Sequence, residues 1–309
     1  MDINKKQKLN HFNAFGNSSC NVVSTTSEIS MIELHSWFLS NNVVGLGRVD
    51  FKYSKGSCGG SLGCFARDKI RVGETIFIIP QTCIIGLSNA SDTFLSNFLR
   101  RTALKHNLNH KITSELLIWL YMIEQRSFRD SNLNVYLNSL DKVSPSPVSW
   151  NVRLLEALNG TNLGKSIEDS RESLKKHMEF LESVRHCEPV QAAILLPAEI
   201  FTLDALIWAK GHYLARRYPG DFSLKSRPVA SSGEGTTASP SSSSAKDHRE
   251  PGLQNLGSLV PLLDILNHND KHAWLKLEVY NNCLYVKCNH PVEKVGGYCC
   301  LLLVVILSR

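Results

Sequence analysis

The sequence predicts an α+β fold in which short strands are split by a long helical insertion. Three observations point there. Two extended runs rich in branched residues, TIFIIP and CIIGL, stand early in the chain. From about residue 91 to 217, apolar residues recur three and four apart, the period of an α-helix. Beyond that block, LKLEVYNNCLYVKC alternates apolar and polar residues on both sides of Asn281-Asn282, the pattern of a β-hairpin with a tight turn.

In chain order, residues 1–28 are polar without a sustained period and read as a disordered N-terminal segment. Ser30 stands as an N-cap before MIELHSWFL, where Ile32, Leu34, Trp37 and Phe38 form a helical stripe. The glycine-rich KGSCGGSLGCF reads as a turn, and TIFIIP and CIIGL as strands interrupted by Pro80, closing a first part at 29–90. Within 91–217, SDTFLSNFLRRTAL and TSELLIWLYMIEQR begin behind Ser, Thr or Asp, as helices do. Ile167, Leu174, Met178, Leu181 and Val184 keep helical spacing. Thr202 is placed to cap LDALIWAKGHYLARR, with Leu203, Leu206, Ile207 and Leu214 on one broad side.

Residues 218–256 read as a flexible serine-rich insert, because Ser231–Gly252 contains no Phe, Tyr, Trp, Val, Leu or Ile to anchor it. Residues 257–294 carry LVPLLDILNHND and the hairpin, and 295–309 form an apolar tail. In that tail CCLLLVVI combines high β-propensity with no charge and no proline, the signature of an aggregation-prone strand.

Composition excludes several classes. At 309 residues and 43% hydrophobic, the chain is long enough for a sizeable core. The net charge of +6 comes without a long basic run, so no nucleic-acid partner is expected. Nine cysteines, an odd count with no CxxC pair, argue against a disulfide framework or a four-thiolate zinc site. Reduced thiols and no signal-like N-terminus point to the cytoplasm or nucleus. The terminal apolar run is shorter than the ~20 residues of a membrane span. A monomer away from membranes is expected.

The segment LVPLLDILNHND puts a carboxylate, an amide and an imidazole among aliphatic residues. Burying each without a partner costs roughly 1–3 kcal/mol, so the fold satisfies them or they face a ligand. On a helix Asp264 and His268 would share a face and could bind a metal or act as an acid/base pair. No third ligand stands in a motif-like position, so no metal is expected. GxSxG, GxGxxG and GxxxxGK[ST] are all absent, which removes the α/β-hydrolase, Rossmann and P-loop readings.

Taken in order, GGSLGCFARDKIRVGETIFIIP, YLNSL, WAKGHYLARRY and LVPLLDILNH resemble the SET-domain protein methyltransferases. The nearest branch is that of the Rubisco large-subunit methyltransferase and the actin-histidine methyltransferases. The resemblance covers about Ile32 to Lys294. It implies a SET-type β fold of short strands split by a helical insertion, S-adenosyl-L-methionine as cofactor, and a protein substrate offering lysine, or histidine. By the same resemblance, backbone at Gly60, Ser61 and Leu62 and the polar groups of Asn267 and His268 bind the cofactor. Arg216 and Asp264 match positions beside the substrate channel.

The chain departs from the family in three places. Ser61-Leu62-Gly63 replaces the usual GxG, and Ala215-Arg216 replaces Ser-Arg. After HPVEK the family continues G-E-E-V-[FY]-x-x-Y-G, whose tyrosine is catalytic; here VGGYCC follows, with Tyr298 in a different context. No catalytic residue is therefore assigned. The expectation is a chain truncated in the C-terminal part of the SET fold and lacking the helical substrate domain, with weak or no turnover. A non-catalytic SET-like binding or regulatory module is the alternative.

Overall fold

Apolar stripes at helical spacing build the first element, α1 (Val23–Ser40), through Leu34, Trp37 and Phe38, all buried. The computed structural model describes residues 23–54, 61–108, 112–220, 222, 256–268, 275–292, 299–300 and 302–303. Helix α1 starts ahead of Ser30, which lies inside it and does not cap it. Once the buried stripe nucleates a helix, each upstream residue adds a hydrogen bond at little cost, so a polar lead-in joins it.

Strands β1 (Val49–Ser54) and β2 (Ser61–Ala66) pair antiparallel, from Val49 opposite Ala66 to Ser54 opposite Ser61. The glycine-rich stretch read as a turn is thus already strand from Ser61 onward; residues 55–60 lie outside the described residues. Strand β3 (Thr75–Pro80) is the predicted TIFIIP, buried on both faces at Ile76, Phe77 and Ile79. CIIGL does not make a second strand. A 3-10 turn at Gln81–Cys83 follows Pro80, and Ile85 makes a single antiparallel bridge to Leu259 before a helix begins. Gly86 supplies the extended cap of that helix, so the run is too short for a ladder.

The helical insertion comprises α2 (Leu87–Ser91), α3 (Phe94–Lys105), α4 (Ser114–Ser127), α5 (Asn134–Ser139), α6 (Val152–Glu156), α7 (Asn162–Cys187), α8 (Pro189–Leu195) and α9 (Leu203–Arg216). Thr93, Thr113, Thr161 and Thr202 each accept an amide hydrogen from the first turn, starting α3, α4, α7 and α9. In α7 Ile167, Leu174, Leu181 and Val184 are buried as their spacing predicts. Helix α9 turns differently from the expected leucine side: Trp208, Ala209, Gly211, His212 and Tyr213 are buried with Leu206, whereas Leu214 is exposed. Close packing at Gly211 sets that rotation, since a Cβ there would fall 1.8 Å from Ser144 Oγ.

Strand β4 (Arg217–Tyr218) leaves α9 and pairs with β5 (Ser258–Leu259), so Tyr218 belongs to the folded body and not to the serine-rich insert. The rest of that insert, from 223 to 255, lies outside the described residues. Strand β6 (Asn267–His268) follows. The hairpin β7 (Leu275–Tyr280) and β8 (Cys283–Cys288) forms as expected, with Asn281 and Asn282 both at positive φ. Strand β8 joins β3, giving the order β3-β8-β7. In the tail, β9 (Cys299–Cys300) adds to β2 and β10 (Leu302–Leu303) runs parallel to β6.

Candidate active site

Helix α9 is anchored at its middle and delivers a cation at its end. The indole N–H of Trp208 donates to Asp141 O at 2.9 Å, and His212 Nε2 meets the same carbonyl at 2.9 Å. Arg216, the last helical residue, sits where the helix dipole favours positive charge. The β4–β5 pair then clamps the segment 256–268 alongside it. Tyr213 adds a bond from its hydroxyl to Gly257 O at 3.1 Å, and Tyr218 donates to Leu263 O.

That segment makes a tight turn at Leu262, which is fully buried with φ 80° and ψ −45°. Positive φ in a residue with a bulky side chain is strained and persists only where the surroundings enforce it. The turn presents Asp264, whose side chain is 1% exposed. Its Oδ2 accepts from Tyr136 Oη at 2.9 Å and from Arg216 Nη1 at 3.2 Å. Its Oδ1 is buried and, among the described residues, receives no hydrogen bond from another residue. Burial pushes the Asp264 carboxyl above its ordinary range, against the pull of the Arg216 charge and of the bonds from Tyr136 and Arg216. Burial likewise raises the phenols of Tyr136 and Tyr218, helped by the Asp264 charge, so both stay protonated donors.

Two of the residues expected at a site, Arg216 and Asp264, are thus brought into direct contact. Asp264 and His268 do not share a helix face: Asp264 lies in a 3-10 turn at Leu263–Ile265 and His268 in strand β6. A proline and a strained turn leave no room for a regular helix there. Among the described residues no three His, Cys, Asp or Glu side chains gather as metal ligands. Ser61 and Leu62 lie in β2, opposite Ser54 and Tyr53, and β2 packs against the turn that carries Asp264. Asn267 and His268 are placed by backbone pairing with Leu302 and Leu303. Gly60 lies outside the described residues.

Tyr136 and Tyr218 had no role in the sequence reading. Tyr136 stands in YLNSL, a motif of the resemblance, and a tyrosine amid apolar neighbours is a weak signal of a buried hydroxyl seeking an acceptor. Tyr218 follows two arginines and gives no such signal.

Comparison with solved structures bears on the fold. The chain superposes on the SET domain of LSMT bound to lysine and AdoHcy with a TM-score of 0.61 and 17% identity, over 91% of this chain and 55% of that one. Rubisco LSMT bound to sinefungin and monomethyllysine gives 0.59 and 18%, over 91% and 53%. Rubisco LSMT bound to AdoMet gives 0.61 and 18%, over 91% and 54%. The chain therefore spans about half the length of these structures, and it has a SET-like fold. No protein-family model and no curated protein matches the sequence.

Proposed function

We propose that the chain is built as an S-adenosyl-L-methionine-dependent protein-lysine N-methyltransferase, with histidine as a second possible acceptor. The carrying observation is Asp264: a buried carboxylate with one oxygen held by Tyr136 and Arg216 and the other without a partner residue among the described residues, in a SET-like fold. The structural neighbours were crystallised with AdoMet, AdoHcy, lysine or methyllysine, which supports both ligand classes.

The residues present fit such ligands. A buried, unpartnered carboxylate oxygen is an acceptor suited to an ammonium or methylammonium group. Strand β2, carrying Ser61 and Leu62, lies against the Asp264 turn that leads into Asn267 and His268. Segments about two hundred positions apart in sequence thereby come together beside Asp264. The cofactor would supply a methyl group on a positively charged sulfonium, open to in-line attack.

The protein's own part is alignment and proton management. A lysine amine is protonated in water, with a pKa of about 10.4, and must be neutral to attack. Entry into a desolvated channel favours the neutral amine. Asp264 orients the group through Oδ1, while Arg216 offsets the carboxylate charge so that it does not hold the amine protonated. Most of the acceleration then comes from fixed geometry. A second reading, a SET-like module that binds without turning over, is favoured by one sequence observation: directly after HPVEK the chain reads VGGYCC and not G-E-E-V-[FY]-x-x-Y-G.

Isothermal titration with S-adenosyl-L-methionine, followed by radiolabelled methyl transfer to lysine and histidine peptides, tests both. Binding with transfer supports the enzyme, binding alone supports the module, and no binding overturns both.

A further inference from the structure

We propose that Tyr136 is a positioning residue: its phenol, braced by Trp37 of α1, fixes the Asp264 carboxylate so that Oδ2 belongs to the protein and Oδ1 is left for a ligand. What Asp264 does with that ligand rests on the function proposed above. What Tyr136 does rests on geometry.

Among the described residues, the groups that face Asp264 come from three elements: Tyr136 from α5, Arg216 from α9 and Tyr218 from β4. Among the described residues, the side chains of Tyr136 and Arg216 bond to its Oδ2, and they differ in kind. Arg216 is a long cation with a side chain 28% exposed, free to sample rotamers and to be screened. Tyr136 is fully buried and has only two side-chain torsions, so its hydroxyl cannot wander. Its bond of 2.9 Å to Oδ2 defines the plane of the carboxylate.

The short helix α5 is itself held in place. The Tyr136 ring stacks on Trp37, with centroids 6.0 Å apart and planes inclined at 22°. Trp37 in turn donates its indole N–H to Asn132 O at 2.5 Å. From the other side, Asn134 Nδ2 donates to Arg126 O at 2.7 Å, fastening α5 to the end of α4. A phenylalanine at 136 would keep every apolar contact and the Trp37 stack. The hydroxyl therefore adds nothing to packing, and its role is the bond to Asp264. Burial keeps the phenol protonated, so it acts as a permanent donor and never as a base.

The test is a carbon-detected NMR titration of the aspartate carboxyl groups in the full 309-residue chain, with Asp264 assigned by Asp264→Asn. Tyr136→Phe removes a bond that favours the charged carboxylate, so Asp264 should titrate at higher pH than in the parent, with an unchanged circular-dichroism spectrum. In an active chain the same substitution should raise KM for a lysine peptide about ten-fold, one charge-assisted hydrogen bond, with S-adenosyl-L-methionine affinity within about two-fold. Should Tyr136→Phe fail to fold, 3-fluorotyrosine at 136, a more acidic donor of nearly the same shape, should move the Asp264 titration to lower pH. An Asp264 titration that either replacement leaves where it was overturns the proposal. A chain that binds no cofactor sinks the methyltransferase reading instead, and the NMR titration still decides the role of Tyr136.

Discussion

Asp264 carries a conflict that its neighbours only partly resolve. Its carboxyl is raised by burial despite a cation and a phenol on Oδ2. A carboxyl whose folded-state pKa is raised contributes most below its ordinary value of 3.8, and that contribution is lost as pH rises through the folded value. Asp264→Asn should therefore be at least as stable as the parent at pH 8, with the advantage shrinking toward pH 4. Urea denaturation at the two pH values checks this; a mutant less stable at pH 8 would mean that the Arg216 pair outweighs the desolvation. His212 shows the opposite sign. Burial lowers it below 6.5, so its contribution is present above that value and is lost as pH falls through the folded value. At this scale motif resemblance singles out Arg216 and Asp264, and the structure brings the two into contact. Tyr136 and Tyr218 were not legible in the sequence, because hydrogen bonds to residues 128 and 45 positions away leave no local pattern.

Helix α9 is the element on which the site depends. Thr202 starts it by accepting from the Ala205 amide at 3.1 Å, so Thr202→Ala should cost about 1 kcal/mol of stability, read from the denaturation midpoint. At its other end the chain turns into β4, which β5 must reach. Gly257 makes that approach possible: φ is +79° and a Cβ would lie 2.4 Å from Tyr218 O. Gly257→Ala should cost more than Thr202→Ala, since both the left-handed backbone and the β4–β5 contact resist a side chain. Comparing the two melting temperatures decides it, and a mild effect at Gly257 would show that the β4–β5 pair is loose. Element by element, the threonine caps, the α7 stripe and the Asn-Asn hairpin were readable because they are local. The rotation of α9 was not, because Ser144 and Asp141, from a distant loop, select the face it buries.

For the whole molecule, the tail changes the picture of how the segments join. Cys299–Cys300 extends β2 and Leu302–Leu303 runs beside Asn267–His268, so one short stretch spans the two candidate cofactor segments. Deleting residues 295–309 should lower the melting temperature and weaken S-adenosyl-L-methionine binding, because it strips partners from both β2 and β6. A deletion that binds as well as the full chain would show that the tail strands contribute nothing to the site. On the proposed function, S-adenosyl-L-methionine should raise the melting temperature of the 309-residue chain, by an amount set by RT ln(1 + [L]/Kd), about 2.7 kcal/mol at a hundred-fold excess over Kd.

The sequence by itself determined the alternation of strand and helix regions, the starts of α3, α4 and α9, the hairpin and the motif order that resembles SET methyltransferases. Each of these is written in neighbours a few residues apart, through periodicity, caps and turn chemistry. Only the tertiary structure decided that Ile85 would bridge to Leu259 in place of a second strand, that α9 would bury Trp208, His212 and Tyr213, and that Tyr136, Arg216 and Asp264 would meet. Those outcomes depend on which surfaces are left to pack once the local elements exist. A backbone carbonyl at Asp141, a strained turn at Leu262 and a buried carboxylate acquire their meaning only from what the rest of the chain brings beside them.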